Sequence, residues 1–309
     1  MDEKIYDLII VGSGPAGLSA SIYSSRYKIN FIVIGKDMGV IADAVEVDNY
    51  MGFPAISGLE LAKKFTDHAE KLGVKIVREE VKSIKKDGEI FVVDTYNNSY
   101  KTKTIIYALG GQKRKLGLSE EEKFVGKGIS YCAVCDAAFY KDKVVMVAGG
   151  GNSAVSSATY LSRLAKKVYV VHRRDKFRAF PHLVKKMTER GNVEIIFDSV
   201  IVGVRGKEKV ESVIVENVKT KDRKELSVDG IFVEFGYDPN SYLAEDIGVE
   251  LTEEGRIKVN EDMSTNVRGF FAAGDVTNGS NQLNQLITAA SEGAIAASSV
   301  YKFLKGGGG

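Results

Sequence analysis

In the stretch Asp7-Leu8-Ile9-Ile10-Val11-Gly12-Ser13-Gly14-Pro15-Ala16-Gly17 an apolar run ends directly in a GxGxxG pattern. The run reads as a buried parallel strand. Leu18 to Tyr27, rich in Ala and Ser, reads as the helix behind it. Strand, GxGxxG and helix in that order raise the motif above a chance match. Gly12 permits the tight turn, Gly14 lets a diphosphate approach the backbone, and Gly17 allows close packing of helix on sheet. The diphosphate would sit on the helix N-terminus, where free N–H groups and the helix dipole favour an anion. Asn30 to Ile34 is the second strand. The acid expected next, on the ribose hydroxyls, is late or absent, because the chain reads Gly35-Lys36-Asp37.

Working outward, Gly58 to Leu72 has apolar residues at helical spacing. Strand-like runs at 75–77, 81–85, 90–95 and 99–103 suggest a small antiparallel insertion. Thr104 to Gly110 reads as a further buried strand, and Lys113-Arg114-Lys115 as a solvated charge run. Lys143 to Ala148 is a strand followed by Gly149-Gly150-Gly151-Asn152-Ser153-Ala154, a second fingerprint of the GxGxxA type. After the next strand, 167–171, comes His172-Arg173-Arg174-Asp175-Lys176-Phe177-Arg178-Ala179. An acid at that place would read a free ribose. Arginines offer bidentate hydrogen bonds to a 2′-phosphate, so the second nucleotide is expected to be NADPH rather than NADH. Strands at 193–197, 210–218 and 230–235 follow. Gly269 to Asp275 reads as a strand ending in Gly274-Asp275, with Asp275 placed to accept from a cofactor hydroxyl. Gln285 to Leu304 reads as a long helix. The tail from Gly306 to Gly309 is expected to be disordered.

Between the fingerprints lies Cys132-Ala133-Val134-Cys135-Asp136, which holds both cysteines of the chain. At that spacing the pair can be a disulfide or a dithiol, and a helix after it would favour a thiolate near the helix N-terminus. His172 and His182 with the cysteines fit no zinc spacing, so no metal is expected. The 309 residues suggest two domains; 44% are hydrophobic and 27% charged, with a net charge of +2. Nothing in that balance calls for nucleic acid or an anionic membrane, and the apolar run at 8–11 is too short to span a bilayer. Two cysteines and no recognisable leader point to a reducing cytoplasm.

The ordered set GSGPAG, ALG, CAVCD, GGGNSA, HRRDKFRA and AAGD resembles the low-molecular-weight thioredoxin reductases, class II of the pyridine nucleotide-disulfide oxidoreductases, over essentially the whole chain. The resemblance implies an α/β fold of two Rossmann-like three-layer nucleotide-binding domains, with an NADPH domain inserted into a discontinuous FAD domain. The expected boundaries are 1–115 and 244–309 for FAD and 116–243 for NADPH and the redox pair. It implies a homodimer, with contacts in the last segment. It also implies a thioredoxin-disulfide reductase that passes electrons from NADPH through FAD and the Cys132–Cys135 pair to thioredoxin or a thioredoxin-like protein. On the matching motifs, Cys135 is the flavin-proximal thiol, Cys132 attacks the partner, and Asp136 manages the thiol proton. FAD contacts fall on Gly12, Gly14, Pro15, Ala16, Gly17, Asn49, Ala108, Gly110, Gly274, Asp275 and Gln285. NADPH contacts fall on Gly149, Gly151, Asn152, Ser153, Ala154, His172, Arg173, Arg174 and Arg178.

The chain departs from the family pattern at Met38-Gly39-Val40, where Gly-Gly-Gln is common, and at Asn284, where a basic residue is common. Ser156-Ser157 stand where two glutamates are common, and Ala137 follows CxxCD in place of glycine. Two alternatives stay in view, the first of them because of these positions. One is the same fold with a ferredoxin or another flavin as donor, or a glutaredoxin-like or peroxidase-linked acceptor. The other is a non-catalytic redox sensor.

Overall fold

A computed structural model describes residues 5–306. The part of the glycine tail from Gly307 onward lies outside them. The first segment runs β1 (Ile5–Val11), α1 (Pro15–Arg26), β2 (Phe31–Ile34), α2 (Gly58–Lys71), β3 (Ile76–Val77), β4 (Val81–Asp87), β5 (Ile90–Thr95), β6 (Ser99–Tyr107) and β7 (Gly111–Lys113). The middle segment runs α3 (Glu121–Phe124), β8 (Ile129–Ser130), α4 (Ala133–Asp136), β9 (Val144–Gly149), α5 (Asn152–Leu161), β10 (Lys167–Val171), α6 (Pro181–Thr188), β11 (Val193–Ile196), β12 (Ser199–Arg205), β13 (Ser212–Asn217), β14 (Arg223–Ser227), β15 (Gly230–Glu234) and β16 (Tyr237–Pro239). The last adds α7 (Tyr242–Glu245), β17 (Phe270–Ala272) and α8 (Leu286–Leu304).

Contacts divide the chain into two units. Among the described residues the first holds 5–42, 47–112 and 238–306; the second holds 43–46 and 113–237. The chain crosses between them in β7 and β16, which pair with each other. The crossings therefore fall a few residues before the boundaries expected at 115 and 243, and residues 43–46 join the second unit although they lie far from it in sequence.

In the first unit β3, β2, β1, β6 and β17 pair in parallel. The runs 99–103 and 104–110, expected as separate strands, contain a single β6. One edge of β6 serves two partners: its first half pairs antiparallel with β5, and its second half pairs parallel with β17. The pair 75–77 is likewise not part of an antiparallel insertion, since β3 extends the parallel sheet beside β2. Alternate side chains of β1 bury on opposite faces, as the period of two requires. Leu8 and Ile10 pack with Ala16, Ala20, Ala296 and Ala297 of α1 and α8. Ile9 and Val11 pack with Ile84, Phe91, Val93 and Leu243. Small residues let α8 lie close on α1: a Cβ at Gly293 would stand 2.1 Å from the Ala16 carbonyl oxygen.

The second unit repeats the plan with strand order β11-β10-β9-β15-β8, all parallel. The β9 side chains Val145 and Val147 pack under α5, against Ala154, Val155, Ala158 and Leu161. Residues 199–227 form a three-stranded antiparallel sheet, β12-β13-β14. The sequence showed only its middle strand; β14 (Arg-Lys-Glu-Leu-Ser) is largely exposed and carries almost no apolar signal.

Candidate functional site

At the first fingerprint the two outer glycines are required by the protein itself. Gly12 has φ +115°, and a Cβ there would meet the Ala108 carbonyl oxygen at 2.2 Å; one at Gly17 would meet the Gly12 carbonyl oxygen at 1.9 Å. Gly14 is different: a Cβ there meets no protein atom within 4 Å. Gly14 is also the N-cap of α1, with no side chain capping the first turn and Pro15 at its start. An open approach to uncapped backbone N–H groups is what a diphosphate needs, so the cradle fits a dinucleotide.

The first unit gathers the other expected contacts of that cofactor. Ala108 N–H donates to the Val11 carbonyl at 2.7 Å, beside Gly110 at φ +59°. Asn49 Nδ2 donates to Gln285 Oε1 at 2.8 Å, joining residues 236 apart at the N-cap of α8. Gly274, at φ +86°, turns the chain out of β17, and its N–H donates to Glu292 Oε2 at 2.8 Å. The Asp37 side chain stays local, its Oδ1 accepting from the Gly39 N–H at 2.8 Å, while its carbonyl accepts from Ser13 Oγ of the fingerprint at 2.5 Å. Burial holds the Asp275 carboxyl above the usual range; Arg256 opposes this and Glu292 adds to it. Arg256 Nη1 donates to the Asp275 carbonyl at 2.6 Å and reaches Asn284 Oδ1 at 3.5 Å, tying the Gly-Asp turn to the residue before Gln285. Glu292 is 3% exposed and also accepts from Thr277 Oγ1 at 2.9 Å. Sequence reading missed Glu292 and Arg256; a lone glutamate inside the Ala-rich helix 286–304 was the one available signal.

In the second unit β9 leads into Gly149 (φ +151°) and α5, whose N-cap Gly151 has no side-chain cap and open space at its Cβ position. The basic loop is pinned to this fingerprint. Arg178 N–H donates to the Gly150 carbonyl at 2.8 Å, and Phe180 N–H to Asn152 Oδ1 at 2.9 Å. His172 packs over Gly150 so tightly that a Cβ there would stand 2.3 Å from the ring. Its Nε2 is buried without a partner among the described residues. Burial holds the imidazole below its ordinary value, with Arg178, Arg174 and Arg173 reinforcing the effect against the Lys176 backbone. Arg173, Arg174 and Arg178 are exposed and have no ion-pair partner among the described residues. Three unpaired guanidinium groups and an orphaned imidazole nitrogen beside a dinucleotide turn fit a nucleotide carrying an extra phosphate.

Cys132 and Cys135 are joined as a disulfide, their Cα atoms 5.3 Å apart. Cys132 is the N-cap of α4, and its Sγ accepts from the Cys135 N–H at 3.2 Å. The helix is a single turn followed by a 3-10 turn over Ala137–Tyr140. Cys135 is exposed and Cys132 half-buried, so exposure alone does not mark Cys132 as the outward thiol. Asp43 Oδ1 lies 3.5 Å from Cys132 Sγ, and its carboxylate pairs with Lys113 Nζ. Lys113 also donates to the Tyr131 carbonyl. Lys113 is thus not the solvated charge expected from its run, whereas Arg114 and Lys115 are exposed, Lys115 pairing with Glu122 on the surface. Asp136 is outside the cluster in which the Asp43, Cys132 and Cys135 ligand atoms lie within 4.8 Å of one another.

The sequence profile of the pyridine nucleotide-disulphide oxidoreductases matches residues 6–293. The chain belongs to that family. It is 41% identical over 308 residues, 99% of both chains, to a protein of Clostridium pasteurianum described as the 34.2 kDa protein in rubredoxin operon. It is 39% identical over 307 residues to the thioredoxin reductase of Bacillus subtilis strain 168, covering 98% of this chain and 96% of that one. A crystal structure of Lactococcus lactis thioredoxin reductase superposes with a TM-score of 0.93 at 37% identity, covering 97% of this chain and 99% of that one.

Proposed function

We propose that this chain is an NADPH-dependent, FAD-containing thioredoxin-disulfide reductase: NADPH + H⁺ + partner disulfide → NADP⁺ + partner dithiol. The observation that carries this is one chain holding two dinucleotide cradles, a basic loop on the second, and a Cys132–Cys135 disulfide in the same unit as that loop. Bound FAD would supply the two-electron relay between nicotinamide and disulfide, held by Gly12, Gly14, Pro15, Ala16, Gly17, Asn49, Ala108, Gly110, Gly274, Asp275 and Gln285. NADPH would lie on Gly149, Gly151, Asn152, Ser153 and Ala154, with His172, Arg173, Arg174 and Arg178 around its 2′-phosphate.

The chain's own chemistry is thiol–disulfide exchange. Once reduced, Cys132 attacks one sulfur of the partner disulfide and expels the other as a thiolate. Cys135 then attacks Cys132 Sγ, releases the second partner thiolate and restores the internal disulfide. The Cys135 N–H aimed at Cys132 Sγ favours a thiolate there, which supports Cys132 as the nucleophile. Asp43 is the carboxylate positioned to take its proton, with Lys113 balancing the charge, and Asp136 follows Cys135 as a second acid.

The partner is thioredoxin or a thioredoxin-like protein. We assign a homodimer, supported by the exposed apolar side chains Leu283, Ile287 and Ile295 at and along α8. No helix among the described residues is long and apolar enough to cross a membrane, and a cytoplasmic location suits a reductant of this kind. The test is steady-state reduction of thioredoxin with NADPH, NADH or reduced ferredoxin as donor. Turnover with NADPH far above the other two supports the reading; turnover with ferredoxin alone replaces the donor.

A further inference from the structure

The end of β15 carries a group that the reaction as described leaves unused. Glu234 is the last residue of that strand and stands in register with Gly149, the first glycine of the second fingerprint. A Cβ at Gly149 would lie 2.3 Å from the Glu234 carbonyl oxygen, so the two backbones are in contact. The side chain is half-buried and held: Glu234 Oε1 accepts from Ser157 Oγ of α5 at 2.6 Å. Ser157 is itself 4% exposed.

The position follows from the strand order β11-β10-β9-β15-β8. Beyond β9 the chain first adds β10 and β11 on one side, then returns to place β15 on the other. A crevice opens at that switch, outside the carboxyl ends of the strands, and a dinucleotide lies across it with its diphosphate on the fingerprint turn. His172, Arg173, Arg174 and Arg178 follow β10, so the adenosine end of the dinucleotide belongs on that side. The nicotinamide end then falls across β9, at the end of β15, where Glu234 is.

We propose that Glu234, oriented by Ser157, is the residue of this chain that anchors the nicotinamide carboxamide of NADPH. The inference rests on the reading that NADPH binds the second unit. Burial raises the Glu234 carboxyl above the ordinary carboxylate value; Ser157 and then Lys113 oppose this, and Asp43 adds to it. With Ser157 donating to Oε1, the other oxygen of the Glu234 carboxyl is left to hydrogen-bond a carboxamide, and burial disfavours the charged form beside an electron-rich dihydronicotinamide. Glu234 is on this account a binding and positioning residue; it exchanges no proton with substrate.

The test measures binding by calorimetry on the FAD-loaded protein, with NADP⁺ and adenosine 2′,5′-bisphosphate as separate probes. Glu234→Gln keeps the shape and the hydrogen-bonding capacity; Glu234→Leu keeps roughly the volume and removes that capacity. The expected result is that Glu234→Leu weakens NADP⁺ about tenfold, near 1.4 kcal/mol, and leaves the bisphosphate unchanged. Glu234→Gln should hold both probes within about threefold of wild type. Equal loss of both probes in the leucine variant, with the glutamine variant intact, makes Glu234 a structural residue and overturns the proposal. So does unchanged NADP⁺ binding in Glu234→Leu. A wild-type protein that binds neither probe overturns the NADPH reading itself.

Discussion

Alanine at Gly17 and alanine at Gly14 are expected to fail in different ways. At Gly17 the new Cβ would stand 1.9 Å from the Gly12 carbonyl oxygen and 2.9 Å from its carbon, where ordinary contact begins at 3.4 Å. The loop or α1 has to move by more than an ångström. Overpacking of that kind costs roughly 1–3 kcal/mol. A unit of this size loses about 2–4 °C of melting temperature per kcal/mol, so the FAD-free protein should melt about 2–12 °C lower. At Gly14 the added methyl meets no protein atom, and φ is −78°, a conformation alanine adopts freely. The FAD-free fold should be unchanged, or gain up to about 1 kcal/mol from a stiffer unfolded chain. The same methyl intrudes where the diphosphate sits. A clash of roughly 1–3 kcal/mol there weakens FAD by roughly 5- to 150-fold. Calorimetric melting of the FAD-free variants and quenching of flavin fluorescence on titration separate the two quantities. Gly14→Ala that melts as low as Gly17→Ala, or that holds FAD as tightly as wild type, refutes the assignment of Gly14 to the cofactor.

Cys132→Ser should abolish thioredoxin reduction while NADPH still bleaches the flavin; loss of bleaching would place the cysteine in the earlier half-reaction. Arg173→Ala should raise the dissociation constant for NADPH about tenfold and leave NADH within a factor of about two, read by equilibrium binding, since a charge-assisted bond to phosphate is worth about 1.5–3 kcal/mol. Glu292→Leu leaves the Gly274 N–H and the Thr277 hydroxyl without their acceptor, and should lower stability by about 2–5 kcal/mol in denaturant unfolding. Asp275 binds its proton more tightly in the folded than in the unfolded chain, because burial raises it above 3.8. It therefore favours the fold at pH below that value, and this contribution is lost as pH rises through the raised one. Asp275→Asn should flatten that fall in unfolding free energy with pH, and an unchanged slope counts against it.

Both fingerprints were legible because they combine a short apolar strand, glycines at fixed offsets and a helix, which are local signals. The basic loop after Val171 was legible for the same reason. What escaped depends on tertiary proximity. Nothing near Asp43 in sequence announces a sulfur 89 residues away, and Lys113 sits in a run that reads as solvated. β6 was split in two because its polar first half, Ser99 to Lys103, faces the antiparallel partner β5, while its apolar second half lies inside the parallel sheet. β14 was missed because an exposed strand of Arg, Lys and Glu shows no apolar alternation. Glu234 was passed over because a single acid at the end of a buried strand looks like the start of a turn.

An anaerobic stopped-flow experiment bears on the central assignment most directly. The oxidised, FAD-loaded protein is mixed with NADPH, flavin absorbance is followed, and free thiols are then counted before and after adding oxidised thioredoxin. The account predicts that NADPH bleaches the flavin, that two thiols appear on Cys132 and Cys135, and that both pass to thioredoxin as the flavin re-oxidises. A flavin that NADPH does not bleach, or a Cys132–Cys135 disulfide that stays intact while thioredoxin is reduced, would contradict it.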